Sequence, residues 1–320
     1  MPVVILVVFF VGVGQTVDFI YAKVPKKRIF LVHLLQNYVN MSLTRFIVGA
    51  AVAAVACVGA QSAAATEKHQ GDTVTVSGKY IDRPMKVTVV TPESYLQEAD
   101  TTRYPVLYLL NGHGGDYRNW SRIVSLDDIA DEFGCIIVCP SGFNSWYWDS
   151  PEMPGLQMES FITEVLVPYI DSNYRTRTDR LGRAVTGFSM GGHGGLWLGI
   201  RHSDMFGSAG STSGGVNIIP FPKNWSMSKS LGEYEDNKAR WEAHTVKNLV
   251  DSIKPGQLNI IFDCGTEDFF YKVNCDLDSA LNARKIHHVY ITAPGAHNGE
   301  YWSRSIYPQL RFFREIWGKE

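Results

Sequence analysis

The sequence predicts an α/β fold in which helices cover both faces of a mostly parallel sheet. Short, continuous apolar runs recur along the chain, as expected of strands that are buried on both faces. These runs cover residues 106–110, 135–139, 184–186, 206–209, 258–262 and 288–292. Segments with apolar residues at helical spacing separate them. This alternation of strand and helix is typical of a parallel sheet.

The remaining elements follow from local patterns. Residues 73–78 and 85–91 alternate apolar and polar side chains, which predicts an antiparallel pair before the parallel part. The predicted helices cover residues 126–133, 158–170, 190–202, 277–285 and 301–317. Pro168 should kink or end the second of these helices. Residues 216–245 fit neither pattern, and we interpret them as an insertion that is either a lid over the site or a surface excursion.

Composition divides the chain into two unlike parts. Residues 1–65 are apolar and poor in acidic side chains, whereas residues 66–320 have an ordinary globular composition. The second part is long enough for one α/β domain with a sizeable core. The net charge of −2 gives no indication of a basic surface that would bind nucleic acids or of a strongly anionic partner.

The first part has the layout of a targeting segment. Residues 41–65 contain a short positive region, an apolar stretch and a series of small residues, as secretory signal peptides do. We therefore interpret residues 1–40 as a mis-called extension before a true start at Met41, the alternative being a membrane anchor at residues 3–13. Export to the periplasm or the medium is expected, with lipoprotein anchoring at Cys57 as the alternative.

The cysteines do not indicate a metal site, because no Cys-x-x-Cys pair occurs among the 5 cysteines. Cys135 and Cys139 lie in one apolar run and are predicted to be buried thiols. Cys264 and Cys275 flank a loop that export would allow a disulfide to close. The sequence indicates no cofactor.

One serine lies in a strand-to-helix turn. Residues 187–191, GFSMG, follow a predicted strand and precede a predicted helix, which is the context of a nucleophile elbow. Glycine at both ends of the motif avoids clashes with the neighbouring chain. A second Gly/Ser-rich stretch at residues 208–215 is not followed by a helical pattern. Ser189 is therefore the predicted nucleophile.

A serine hydroxyl needs a neighbouring base, and in a fold with this elbow the chain order is serine, acid, histidine. His297 directly follows the last predicted strand, so we expect it at the same edge of the sheet as Ser189. Asp268 lies on the loop after the preceding strand and is the preferred acid, with Asp263 and Glu267 as alternatives. A carboxylate there would fix the histidine tautomer.

Two backbone N–H groups should stabilise the negative charge that develops on the carbonyl oxygen. Met190, the residue after the nucleophile, is one predicted donor. The other should come from the glycine-rich loop at residues 111–115, NGHGG, with His113 as first choice and Gly114 as second.

Taken together, these motifs resemble those of the esterase D-like "putative esterase" family. This family includes acetyl xylan, feruloyl and tributyrin esterases, S-formylglutathione hydrolase and the mycolyltransferases. The resemblance covers roughly residues 74–317 and rests on YLLNGHGG at 108–115, GFSMGG at 187–192, CGTEDF at 264–269, PGAH at 294–297 and YW at 301–302. It implies an α/β-hydrolase fold, a triad of Ser189, Asp268 and His297, and an oxyanion hole formed by His113 and Met190.

Two positions depart from the family pattern. Many members have His where this chain has Asn111, and members often have an aromatic residue where it has Gly299. A backbone donor does not need the first side chain, whereas loss of the second would widen the leaving-group side.

Aromatic side chains on the predicted site loops suit a sugar ring or a feruloyl group, although a plain apolar wall is the alternative. The candidates for substrate binding are Trp120, Trp146, Trp148, Phe269 and Trp302. We expect a serine esterase acting on acetyl or feruloyl esters of carbohydrates. The alternatives are an acyltransferase of the mycolyltransferase type and a non-catalytic carbohydrate-binding envelope protein. No nucleic-acid partner and no membrane span in the mature chain are expected.

Overall fold

The computed structural model describes the backbone of residues 5–8 and 20–23 and all of residues 71–318. The chain divides into two compact units, Met1–Glu67 and Lys68–Glu320. In the first unit, β1 (Ile5–Val8) and β2 (Ile20–Lys23) form an antiparallel pair. The signal peptide predicted at residues 41–65 lies outside the described residues, as does most of the predicted extension.

An eight-stranded sheet forms the centre of the second unit. Its strands are β3 (Asp72–Val76), β4 (Met85–Val90), β5 (Val106–Leu110), β6 (Ile136–Pro140), β7 (Arg183–Gly187), β8 (Ser208–Thr212), β9 (Asn259–Gly265) and β10 (His288–Ala293). The spatial order is β10-β9-β8-β7-β5-β6-β4-β3. The strands from β5 to β10 pair in parallel, whereas β4 is antiparallel to both β3 and β6. The predicted fold class is confirmed.

Helices connect the strands. They are α1 (Ser94–Gln97), α2 (Leu126–Phe133), α3 (Met158–Phe161), α4 (Val167–Asn173), α5 (Met190–Arg201), α6 (Met227–Leu231), α7 (Lys238–Ala243), α8 (Tyr271–Ala283) and α9 (Gly299–Trp317). A π-helical turn at Ile162–Leu166 joins α3 to α4, and Pro168 lies in the first turn of α4. Pro168 therefore does not end the helical path, because a wider turn accommodates it.

The core lies on both faces of the sheet. On β5, the side chains of Val106, Tyr108 and Leu110 join one buried cluster, and those of Leu107 and Leu109 join the other. The first cluster includes side chains of α5 and α8, and the second includes those of α2 and α9. This two-sided burial explains the continuous apolar runs in the sequence.

The predicted insertion is folded and packed. It contains α6 and α7, and its apolar side chains Ile218, Met227 and Trp241 are buried in the first cluster. Its ends meet, since the backbone N–H of Lys247 donates to the carbonyl of Val216 at 2.9 Å. The segment therefore leaves the domain and returns to the same place, and its buried side chains form part of the domain core.

Within residues 71–318, no helix has the length and apolar character needed to cross a membrane. The same part of the chain contains no cluster of His, Cys, Asp and Glu able to hold a metal ion. Cys264 and Cys275 are both free thiols.

Candidate active site

The turn between β7 and α5 holds Ser189 in a strained conformation. Its φ of 57° and ψ of −119° lie outside the regions that L-residues favour. Its N–H donates to the carbonyl of Thr212 at 3.0 Å. A Cβ atom on Gly187 or Gly191 would lie 2.5 or 2.4 Å from the carbonyl oxygen of Leu110. Both glycines are therefore required for the chain to pass this close to the end of β5.

Three predicted side chains meet at this edge of the sheet. Nε2 of His297, on the loop after β10, lies 2.9 Å from Oγ of Ser189. Nδ1 of His297 lies 2.8 Å from Oδ2 of Asp268, on the loop after β9. The two loops are tied together, since the backbone N–H of Glu267 donates to the carbonyl of Gly295 at 3.0 Å.

The three side chains of this hydrogen-bonded series differ in their exposure to solvent. The side chain of Asp268 is fully buried, whereas that of His297 is 15% exposed. The second carboxylate oxygen of Asp268 accepts the N–H of Phe270 at 2.8 Å, so both oxygens have a hydrogen-bond partner. Ser189 is only partly buried. A ligand can therefore reach the serine, while the carboxylate is held in one orientation.

The other two candidate acids do not contact the imidazole. Glu267 is exposed. Asp263 is buried at the end of β9, where its Oδ2 accepts hydrogen bonds from Thr212 Oγ1 at 3.0 Å and Gln309 Nε2 at 2.6 Å. Burial raises the pKa of Asp263 to about 7. Of the three carboxylates, the structure brings only Asp268 to His297.

The two backbone N–H groups predicted to form the oxyanion hole are left without a protein acceptor. In the described residues, the N–H groups of His113 and Met190 make no hydrogen bond, and that of Met190 is one of the unsatisfied donors of a helix N-terminus. The N–H of Gly114, by contrast, donates to Oδ1 of Asn144 at 2.6 Å. The second-choice donor is therefore already engaged.

Three of the five aromatic residues predicted to bind substrate are in the core, so that prediction is wrong for them. Trp120 is 0% exposed and donates its indole N–H to the carbonyl of Leu110 at 2.8 Å. Trp146 and Trp148 are also buried, with their rings stacked 5.6 Å apart. The indole N–H of Trp148 donates to Nε2 of His193 at 2.8 Å.

The physical reason for the error is the backbone path of the loop after β6. Residues 143–147 turn sharply, and Trp146 has a φ of 56°. This turn directs the indoles under the loop, where they pack on α5. The prediction rested only on the position of the two tryptophans after a strand, which does not decide where their side chains lie.

The other two aromatic candidates lie beside the imidazole. Phe269 is 52% exposed, and its ring centroid is 4.3 Å from that of His297. Trp302 is partly buried, stacks on Phe188 at 4.2 Å and meets His297 edge-on at 5.1 Å. Trp302 therefore packs against the imidazole, and Phe269 lies half exposed beside it.

Sequence reasoning assigned no role to two further residues near the site. Trp225, from the insertion, is stacked on Phe269 with a centroid distance of 5.7 Å. Asn144 contacts the glycine-rich loop through Gly114. The sequence shows a tryptophan in the insertion and a polar residue after β6. It does not show what they contact, because their partners depend on the tertiary fold.

The parallel sheet and the serine turn after its β7 strand are those of an α/β-hydrolase. Residues 78–313 match the family model described as "Putative esterase", and the chain belongs to that family. The resemblance seen in the sequence is confirmed.

Relatives of known activity agree with this assignment. The acetyl esterase of Caldicellulosiruptor saccharolyticus is 25% identical over 238 residues, which cover 71% of this chain and 86% of the relative. The S-formylglutathione hydrolase of Bos taurus is 28% identical over 207 residues, which cover 58% of this chain and 71% of the relative. A solved structure of a ferulic acid esterase superimposes on this chain with a TM-score of 0.68 at 28% identity. The superposition covers 77% of this chain and 98% of the esterase chain. The protein is a carboxylic ester hydrolase.

Proposed function

We propose that the protein cleaves esters through an acyl-enzyme formed on Ser189. The observation that carries this proposal is the continuous hydrogen-bonded series from Asp268 through His297 to Ser189, with distances of 2.8 and 2.9 Å. His297 takes the hydroxyl proton on Nε2 as Oγ attacks the carbonyl carbon. Asp268 holds the imidazole in the tautomer whose Nε2 can accept that proton, and it stabilises the imidazolium that forms.

The free N–H groups of His113 and Met190 then donate to the oxyanion of the tetrahedral intermediate. When the intermediate collapses, the C–O bond to the alcohol breaks and His297 returns the proton to the leaving oxygen. A water molecule, deprotonated by His297, attacks the acyl-enzyme and releases the carboxylic acid, with the proton passing back to Ser189.

We further propose that the natural substrates are acetyl or feruloyl esters of carbohydrates. Phe269 contacts the imidazole that delivers the proton to the leaving alcohol, so the exposed part of its ring borders the alcohol side of the site. An exposed apolar ring surface suits contact with the apolar face of a sugar ring. The names of the relatives, acetyl esterase and ferulic acid esterase, support these two acyl groups.

Active-site labelling and kinetics test the acyl-enzyme. A fluorophosphonate probe should label the wild type at Ser189 and fail to label Ser189→Ala. Hydrolysis of acetyl, butyryl and feruloyl esters should fall by about 10⁴-fold or more in Ser189→Ala and His297→Ala. Unlabelled wild-type protein that binds sugars without turnover would contradict the proposal and favour a binding protein. Transfer of the acyl group to an added sugar, in preference to water, would identify a transferase.

The alcohol side is tested with three esters. Phe269→Ala should lower kcat/KM for an acetylated methyl xyloside by about tenfold, consistent with loss of one ring contact, and leave ethyl acetate nearly unaffected. Leu96→Ala, which removes another exposed apolar side chain, is the matched control. If methyl ferulate is affected instead and the xyloside is not, Phe269 contacts the acyl group and the assignment of sides is wrong.

Export remains a proposal that depends on the sequence of residues 41–65. Expression in a host with a secretory pathway should give an extracytoplasmic protein whose N-terminus begins near residue 66. A mature N-terminus inside residues 1–40 would contradict it.

A further inference from the structure

The loop that follows β6 has a backbone conformation that its residues rarely adopt. Four of its non-glycine residues have left-handed φ values: Phe143 at 48°, Asn144 at 57°, Trp146 at 56° and Tyr147 at 63°. L-residues rarely adopt this region, so the surrounding structure must hold the loop in place. Clusters of such residues are found at functional sites.

Side chains join this loop to the glycine-rich loop after β5 at three places. Oδ1 of Asn144 accepts the N–H of Gly114 at 2.6 Å. The hydroxyl of Tyr147 accepts the N–H of Asn111 at 3.0 Å. Oδ1 of Asn111 accepts the N–H of Gly142 at 2.8 Å. Two of these contacts are buried, and only the one made by Asn144 lies at the surface.

The peptide plane that carries the N–H of His113 is held from its other side. The carbonyl of Gly112, in the same plane, accepts Nδ2 of Asn111 at 2.8 Å and the N–H of Gly115 at 3.1 Å. The next plane carries the N–H of Gly114, which Asn144 binds. Gly114 itself has a φ of 77°, and no heavy atom lies within 4 Å of a Cβ built on it.

We propose that Asn144 is a positioning residue for the oxyanion hole. By holding the N–H of Gly114, it fixes the peptide plane that follows His113 and so restrains the backbone of His113, whose N–H makes no hydrogen bond within the described residues and is available to an oxyanion. The packing of Gly114 does not provide this restraint, because its surroundings are open. The inference rests on the proposed function, in which the N–H of His113 stabilises the oxyanion.

Asparagine is suited to this position for two reasons. It tolerates a left-handed backbone better than most residues, and its short side chain carries an acceptor. It is also neutral, whereas a carboxylate near the developing oxyanion would oppose the charge that the hole must stabilise.

The test compares Asn144→Gly with Phe143→Gly. Glycine is compatible with a φ of 57° or 48°, so neither substitution adds backbone strain. Only the first removes the acceptor for Gly114, and the second controls for a more flexible loop. Each variant is assayed for kcat and KM on an acetyl ester and for the affinity of a boronic acid, which forms a tetrahedral adduct with the serine. Thermal unfolding confirms that each variant is folded at the assay temperature.

In Asn144→Gly, kcat should fall by about 10- to 100-fold, less than the loss expected when an oxyanion donor is removed outright. Boronic acid affinity should fall in parallel, and KM should change little. Phe143→Gly should keep most of its kcat. Asn144→Ala, which also lacks the acceptor, provides a second variant and should repeat the loss.

Two outcomes would overturn the inference: wild-type kcat and boronic acid affinity in both Asn144 variants, or an equal loss in Phe143→Gly. Failure of the proposed function looks different. In that case the wild type itself would neither bind the boronic acid nor become labelled at Ser189.

Discussion

Replacing Asp268 with Asn should almost abolish turnover and leave the fold intact. In the wild type, one carboxylate oxygen lies 2.8 Å from Nδ1 of His297 and the other accepts the N–H of Phe270 at 2.8 Å. Asparagine can keep the second contact with its carbonyl oxygen. Its NH₂ group then faces Nδ1 and donates to it, so the imidazole proton moves to Nε2. In that tautomer Nε2 cannot accept the proton of Ser189.

The expected size follows from this loss of the correct tautomer. A change of this kind lowers kcat by about 10⁴-fold, or about 5.5 kcal/mol of transition-state stabilisation. Stability should change by only about 1 kcal/mol, because the replacement is isosteric and remains hydrogen-bonded. Asp263→Asn provides the matched control, since Asp263 is also a buried carboxylate but does not contact the imidazole.

The assay is steady-state hydrolysis of an acetyl ester by both purified variants, with urea unfolding measured on the same samples. Asp263→Asn should stay within about threefold of wild-type kcat, a barrier change under about 1 kcal/mol. A large kinetic loss in Asp263→Asn, together with near-normal turnover in Asp268→Asn, would refute the assignment of the acid.

Three other expectations follow from buried groups. Burial raises the pKa of Asp263 to about 7, so between about pH 4 and pH 7 the folded state binds a proton that the unfolded state has lost. Its contribution to stability should therefore fall as the pH rises across that window, by on the order of 4 kcal/mol, and urea unfolding of Asp263→Asn should lack this component. Gly194→Ala would place a Cβ atom 2.2 Å from the ring of Tyr147, so urea unfolding should reveal a loss of about 1–3 kcal/mol, and an unchanged midpoint would contradict the packing. Glu159→Gln should destabilise by about 1–3 kcal/mol, because the buried carboxylate accepts hydrogen bonds from three side chains, whereas Glu164→Gln on the exposed surface should cost about 1 kcal/mol or less.

The positions of the predicted triad could be inferred from sequence because they depend on topology. Each of the three residues, Ser189, Asp268 and His297, follows a strand of a parallel sheet. All three therefore lie at the carboxyl ends of the strands, independently of the conformation of the loops. Continuous apolar runs predicted those strands, and the order of the three residues predicted a role for each. Such an inference needs the direction of each strand but not its side-chain packing.

The surroundings of the site could not be inferred in the same way. Trp146 and Trp148 follow β6 at the correct edge, yet the left-handed backbone of residues 143–147 directs both indoles into the core. No glycine in this stretch marks the turn. The link from Asn144 to Gly114 likewise joins residues 30 positions apart, and only the folded structure brings them together.

The insertion leaves and re-enters the domain at almost one point, between Val216 and Lys247. A segment whose ends meet in this way can be varied at its exposed positions without moving the flanking strands, provided that its buried side chains Ile218, Met227 and Trp241 are kept. Because Trp225 extends from this segment to Phe269, such a change would alter the wall that a substrate meets and leave the reacting groups in place. Changes of specificity by design can therefore be confined to the exposed positions of this one segment.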